Sequence, residues 1–137
     1  MDALTEALRV SPERARVAFI EVLCWLVHAD GAVDPREVTF VQSQALALGV
    51  PQVELHEPMV WDDRWPEQLE DIGHHVLMQC ALLTVADGSC HVRERERLEF
   101  LEGELDAQPG SVDEMVEWAL EGHRWMSNGA RFLRRDG

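Results

Sequence analysis

Apolar residues recur three and four positions apart along most of the chain, a spacing that predicts helices joined by short turns. Asp2–Val10 places Leu4 and Leu8 on one face and reads as a short helix. Ser11-Pro12-Glu13 then reads as an N-cap followed by proline at the first helical position. From there a long helix is expected to about Ala29. Its stripe of Ala15, Ala18, Phe19, Val22, Leu23, Trp25, Leu26 and Ala29 is wider than one face, the mark of a central helix covered on several sides. Glu21 within it is expected to face solvent, an extra oxygen ligand for the following turn being the second reading. Val38, Val41, Ala45, Leu46 and Leu48 predict an amphipathic helix closed by Gly49, with Pro51 just beyond. The connector 50–66 holds Pro51, Pro58, Pro66, Trp61 and Trp65, too broken for one helix; the two tryptophans read as core or lid, with an exposed anchoring pair as the alternative.

A second central helix is expected over Glu67–Ala86, carrying Leu69, Ile72, Val76, Leu77, Cys80, Leu83 and Val85. Glu94–Leu105 follows, with Leu98, Leu101 and Leu105 on one side and a charged face on the other. Gln108-Pro109-Gly110 is a break, and Ser111-Val112-Asp113-Glu114 reads as a capping box opening the last helix, which Asn128-Gly129 should end. Trp118 and Trp125 are seven apart on one face of it. Core packing is the default for them; a Met- and Trp-bearing groove for a partner helix is the alternative. The segment 130–137 sets Arg131, Arg134 and Arg135 around Phe132 and Leu133, a basic tail open to fraying or to docking on the acidic face of a second copy.

The pattern repeats. Ala29-Asp30-Gly31-Ala32-Val33-Asp34-Pro35-Arg36-Glu37 returns as Ala86-Asp87-Gly88-Ser89-Cys90-His91-Val92-Arg93-Glu94, with Ala, Asp, Gly, Arg and Glu coinciding. Each copy sits between two helical patterns. The chain therefore reads as all-α: two tandem pseudo-repeated helical hairpins plus a C-terminal helix, in one domain of 137 residues with its core over about 12–126.

Two Ala-Asp-Gly turns, each with a Glu seven residues after the Asp and each joining two helices, resemble the tellurite-resistance TerB family and its wider group of TerB-like domains. The resemblance covers roughly residues 12–126. It implies a compact all-helical domain whose paired acidic turns chelate a divalent metal, with no enzyme activity. It also implies a regulatory or adaptor role in a bacterial tellurite- or stress-response system, beside membrane-associated and calcium-binding partners.

Read residue by residue, the first turn is partly explained by helix termini alone. Gly31 suits the left-handed position that ends a helix, Asp34 the N-cap of the next, Pro35 its first residue and Glu37 the reciprocal capping-box partner. Asp30 is not explained this way, because a carboxylate at a helix C-terminus faces the negative end of the dipole, and Asp87 repeats the problem. Something positive is expected there. A divalent cation would supply it, with Asp30 and Glu37 as ligands and Asp34 as a further one; Arg36 and Arg93 are the competing source. The eight residues from Asp30 to Glu37 also match the second half of an EF-hand loop. The first half fails, since ligand positions would fall on Leu26 and His28, or on Leu83 and Val85. In the second copy Asp87 and Glu94 remain, while His91 replaces Asp34 and Cys90 replaces Val33, which favours a softer ion such as zinc over the calcium expected first. A zinc site joining His74 or His75 to His91 is weighed against ordinary surface or core histidines, and shows no metal-ligand spacing.

A net charge of −14 would repel a phosphate backbone or an anionic lipid surface, so nucleic acid is not an expected partner. All twelve cationic side chains are arginine. Cys24, Cys80 and Cys90, an odd number without a close pair, argue for a reducing compartment rather than a disulfide framework. The first residues lack a basic region before a long apolar stretch, and the longest apolar run is broken by Glu21, so a cytoplasmic protein without membrane insertion is expected. No phosphate-binding Gly-rich loop, HExxH or nucleophile elbow is present. A metal-free interaction module, using the acidic surface or the Trp-bearing face and with a homodimer among its arrangements, is the alternative to a metal-binding adaptor.

Overall fold

The computed structural model describes residues 3–29, 31, 33–50, 60–86, 88 and 90–135, with side chains described between Glu6 and Gly129. Among them are seven α-helices and one 3-10 turn, with no strand. In chain order they are α1 (Ala3–Arg9), α2 (Glu13–Val27), α3 (Pro35–Ala47), α4 (Trp65–Gln68), the 3-10 turn (Glu70–Ile72), α5 (Gly73–Thr84), α6 (Val92–Glu104) and α7 (Ser111–Arg135). The all-helical fold is thus as the periodicity predicts.

α2 and α5 are the two central helices. α2 packs against α3, α4, α5 and α6, and α5 against α1, α2, α3, α6 and α7. The wide stripe of α2 explains its position: ten of its residues are buried, from Ala15 to Val27. From α5 the core takes Val76, Leu77, Cys80, Ala81 and Leu83, and α6 contributes Leu98 and Leu101. Burial pushes the Cys24 thiol up to about 12, Glu21 adding to the effect, and raises that of Cys80 as well, so both behave as small core hydrophobes. Glu21 itself is half-buried, and its charge acts on Arg64 of the connector rather than forming a ligand set among the described residues.

The pseudo-repeat extends to the helix boundaries. α3 and α6 have equal length and begin at equivalent positions, and α2 and α5 end at equivalent positions, Val27 and Thr84. Trp25, Trp61, Trp65 and Phe100 form one aromatic cluster with ring centroids 4.9 to 6.5 Å apart, tying the connector and α6 to the central helix. Trp65 is fully buried and Trp61 half-buried, as core or lid residues should be.

Five expectations change. Ser11 does not cap α2; its hydroxyl donates back to the Ala7 carbonyl of α1 at 3.0 Å, and Pro12 holds the N-cap position. The second central helix is interrupted, as α4 and the 3-10 turn precede α5, which starts at Gly73, where an added Cβ would lie 3.4 Å from the Leu105 carbonyl oxygen. That close approach is what the break accommodates. The expected capping box at Ser111 is replaced by a side chain from another helix: Glu102 of α6 accepts the N–H groups of Gly110 (3.3 Å) and Val112 (2.8 Å). Finally, Asn128-Gly129 does not end α7, which continues to Arg135. Its buried face is Val112, Val116 and Ala119, while Trp118 and Trp125 are 44% and 73% exposed, so the default of core packing fails for both.

Candidate metal centre at the paired turns

Each turn begins where a central helix unwinds. In the first, Ala29 N–H donates to the Leu26 carbonyl (3.1 Å) and Gly31 N–H to that of His28 (3.2 Å); in the second, Ala86 donates to Leu83 (3.2 Å) and Gly88 to Val85 (2.8 Å). Gly31 and Gly88 have φ of 79° and 92°, the left-handed geometry that admits glycine without strain. His28 reinforces the first end through Nδ1, 2.8 Å from the Cys24 carbonyl oxygen.

The next helices start differently. Asp34 is the N-cap of α3 and accepts the Arg36 N–H at 2.7 Å, while Glu37 Oε1 accepts the Asp34 N–H at 3.3 Å, completing the capping box. His91, the N-cap of α6, is exposed and makes no side-chain cap. Glu37 and Glu94, one turn into their helices, are both buried, at 8% and 2% exposure. A carboxylate in such a place requires hydrogen bonds, a cation or both.

The oxygens of Asp34 and Glu37 are a hard donor set that fits calcium or magnesium, whereas Glu94 with His91 and Cys90 nearby in sequence is mixed in character. Among the described residues no group of three or more His, Cys, Asp or Glu side chains is arranged to hold a metal ion. Asp30 and Asp87 lie outside the described residues, and a complete site at either turn would need them. His74 and His75 stand in the first turn of α5 and His91 beyond its other end. A twelve-residue helix rises ~18 Å, so these histidines cannot share one ion with His91.

The positive charge that the dipole demands at the end of α2 comes from the charged side of α6, expected to be a solvated face. Arg97 of α6 hydrogen-bonds the Trp25 carbonyl and lays its guanidinium 4.6 Å from the centre of the Trp25 ring. Burial pulls the Arg97 guanidinium below its usual range, though an arginine stays charged. With Ala29, Val92, Arg93 and Glu96 it lines a cavity of about 440 Å³ beside the first turn. Its counterpart in the repeat is Phe40, which lines a different cavity, of about 410 Å³, with Val85 and Ala86 at the end of α5 and with Trp118 and His123 of α7. The His123 ring packs on Gly88, 3.1 Å from where a Cβ would stand. One turn thus lies near a cation, the other beneath an apolar wall and an imidazole. A third cavity, of about 520 Å³, gathers Glu67, Glu70, Asp71, His74, Glu104 and Asp106 where α5 starts.

The family model described as tellurite resistance protein TerB matches residues 1–59. Residues 1–59 are thus similar to TerB. The match takes in α1, α2 and α3 with the turn between α2 and α3, and ends before α4. Searches among curated proteins and among solved structures each found no match. Among the described residues no helix is long and apolar enough to cross a membrane.

Proposed function

We propose that this TerB-like chain is a non-enzymatic, divalent-metal-binding regulatory or adaptor protein whose first acidic turn is the stronger site. The observation that carries the reading is the burial of Glu37 and Glu94 at equivalent positions of two turns that each contain a further aspartate. Helix capping accounts for one oxygen of Glu37 and does not require the turn to hold so many carboxylates. Calcium is the first ion for the oxygen set at Asp30, Asp34 and Glu37; zinc or another soft ion suits Asp87, His91 and Glu94. A place in a tellurite or other stress response, and a cytoplasmic location, are carried over from the family's description and the cysteine content.

The test is thermal unfolding of chelator-stripped protein with and without calcium, magnesium, manganese and zinc. A ligand of the folded state raises the midpoint by mass action. Asp34→Asn and Glu37→Gln are the informative variants, because asparagine still caps a helix and glutamine still closes a capping box, so only the charge is lost. An ion-specific rise in wild type that both variants abolish supports the metal site. No rise with any ion overturns it.

A metal-free interaction module is the second reading, favoured by the exposure of Trp118, Trp125 and Met126 along α7.

A further inference from the structure

Beyond Ala119, α7 carries large apolar side chains left mostly exposed, Trp125 at 73% and Met126 at 66%, and Trp118 just before them is 44% exposed. Beside them stand Gly122 and Gly129, where an added Cβ would meet nothing within 4 Å. Glycine weakens a helix relative to alanine, and neither position gains packing within this chain in return. Met115, Trp118, Gly122, Trp125 and Gly129 follow a 3–4–3–4 spacing, which the sequence continues to Phe132, the seam of a two-stranded coiled coil.

The charges along α7 are segregated. Ser111–His123 contains Asp113, Glu114, Glu117 and Glu121 and no arginine; Arg124–Arg135 contains Arg124, Arg131, Arg134 and Arg135 and no acid. Asp113 pairs with Arg95 of its own chain, while Glu114, Glu117 and Glu121 are exposed. Two copies of α7 laid antiparallel would oppose acidic half to basic half twice, whereas a parallel pair would set like against like. Antiparallel register also puts Trp125 opposite the partner's Gly122, and Trp118 opposite the partner's Gly129. Each indole then has a gap to enter.

We infer that α7 is a self-association helix, and that a second copy of this chain covers the Trp118–Trp125 face in an antiparallel, two-fold pair. The apolar cavity between α7 and Phe40, Leu82 and Val85 borders the same face and has room for a side chain of the partner's helix. The contact is isologous, so it closes at a dimer. It is independent of the metal reading: a chain that binds no ion would still pair.

Sedimentation equilibrium on the full chain is the test. Wild type should dimerise, and Trp125→Ala should weaken the dimer about tenfold or more, as loss of a central interface tryptophan does. Because Trp125 is exposed, the variant keeps its fold, checked by circular dichroism. Glu114→Arg with Glu117→Arg, and separately Arg131→Glu with Arg135→Glu, should each yield monomers. Mixing the two charge-reversed proteins should restore a heterodimer, since one then carries a basic α7 and the other an acidic one. A monomeric wild type, a dimer indifferent to Trp125→Ala, or reversed chains that do not pair when mixed would each overturn the proposal.

Discussion

Replacing Arg97 with methionine removes the guanidinium that closes the end of α2 while keeping an unbranched stem against Trp25. A hydrogen bond from a charged donor contributes roughly 1.5–3 kcal/mol. A partly desolvated cation over an indole adds about 0.5–2 kcal/mol. Both contributions come from one group and do not sum, so a loss of about 2 kcal/mol is expected. For a chain of this size that corresponds to a fall of roughly 6–10 °C in unfolding midpoint. Arg97→Lys keeps the charge but not the planar fork, and should lose about half as much. Urea denaturation of the three proteins, with the slope checked for constancy, gives the values directly. A loss under about 0.5 kcal/mol in Arg97→Met would be no larger than an ordinary surface change and would refute the clamp. Equal losses in the lysine and methionine variants would show that charge alone contributes nothing and that the planar fork carries the whole effect.

Gly88→Ala should cost more than Gly31→Ala: both force a side chain into positive φ, at roughly 1–2 kcal/mol, but only at Gly88 does the new methyl meet a ring, that of His123. Denaturation of both variants checks this, and His123→Ala should narrow the difference. The half-buried Asp62 carboxyl, held by the hydrogen bonds of Arg64, should titrate at about 2 by NMR and return towards the ordinary range in Arg64→Gln. Because its folded value is depressed, the contribution of that pair is complete above the unfolded value of about 3.9 and is lost as pH falls towards 2.

The helices and their pairing were legible because the same spacing occurs twice at one offset, which makes Val27 and Thr84, or Pro35 and Val92, equivalent ends. The Asp34–Glu37 capping box was legible because it is local: four consecutive residues hold all its chemistry. The contacts that were missed are non-local. Glu102 caps α7 from another helix, and Arg97 reaches back to a carbonyl on α2, so neither leaves a mark in its own neighbourhood. The offset itself held a clue, since it sets Arg97 opposite Phe40 and shows that the two turns have unlike neighbours. The interruption before α5 is invisible to periodicity, because a 3-10 turn and an α-turn space Leu69 and Ile72 alike. For Trp118 and Trp125 a seven-residue spacing establishes a shared face and says nothing about whether that face points inward. Burial of Val112, Val116 and Ala119 decides it.

The metal reading is tested most directly by equilibrium dialysis of the chelator-stripped chain against labelled calcium, with Glu37→Gln and Glu94→Gln alongside. Retained calcium in wild type and in Glu94→Gln, lost in Glu37→Gln, is the predicted result. Wild-type protein that retains no more calcium than Glu37→Gln would contradict the account and leave the acidic turns as helix-capping devices.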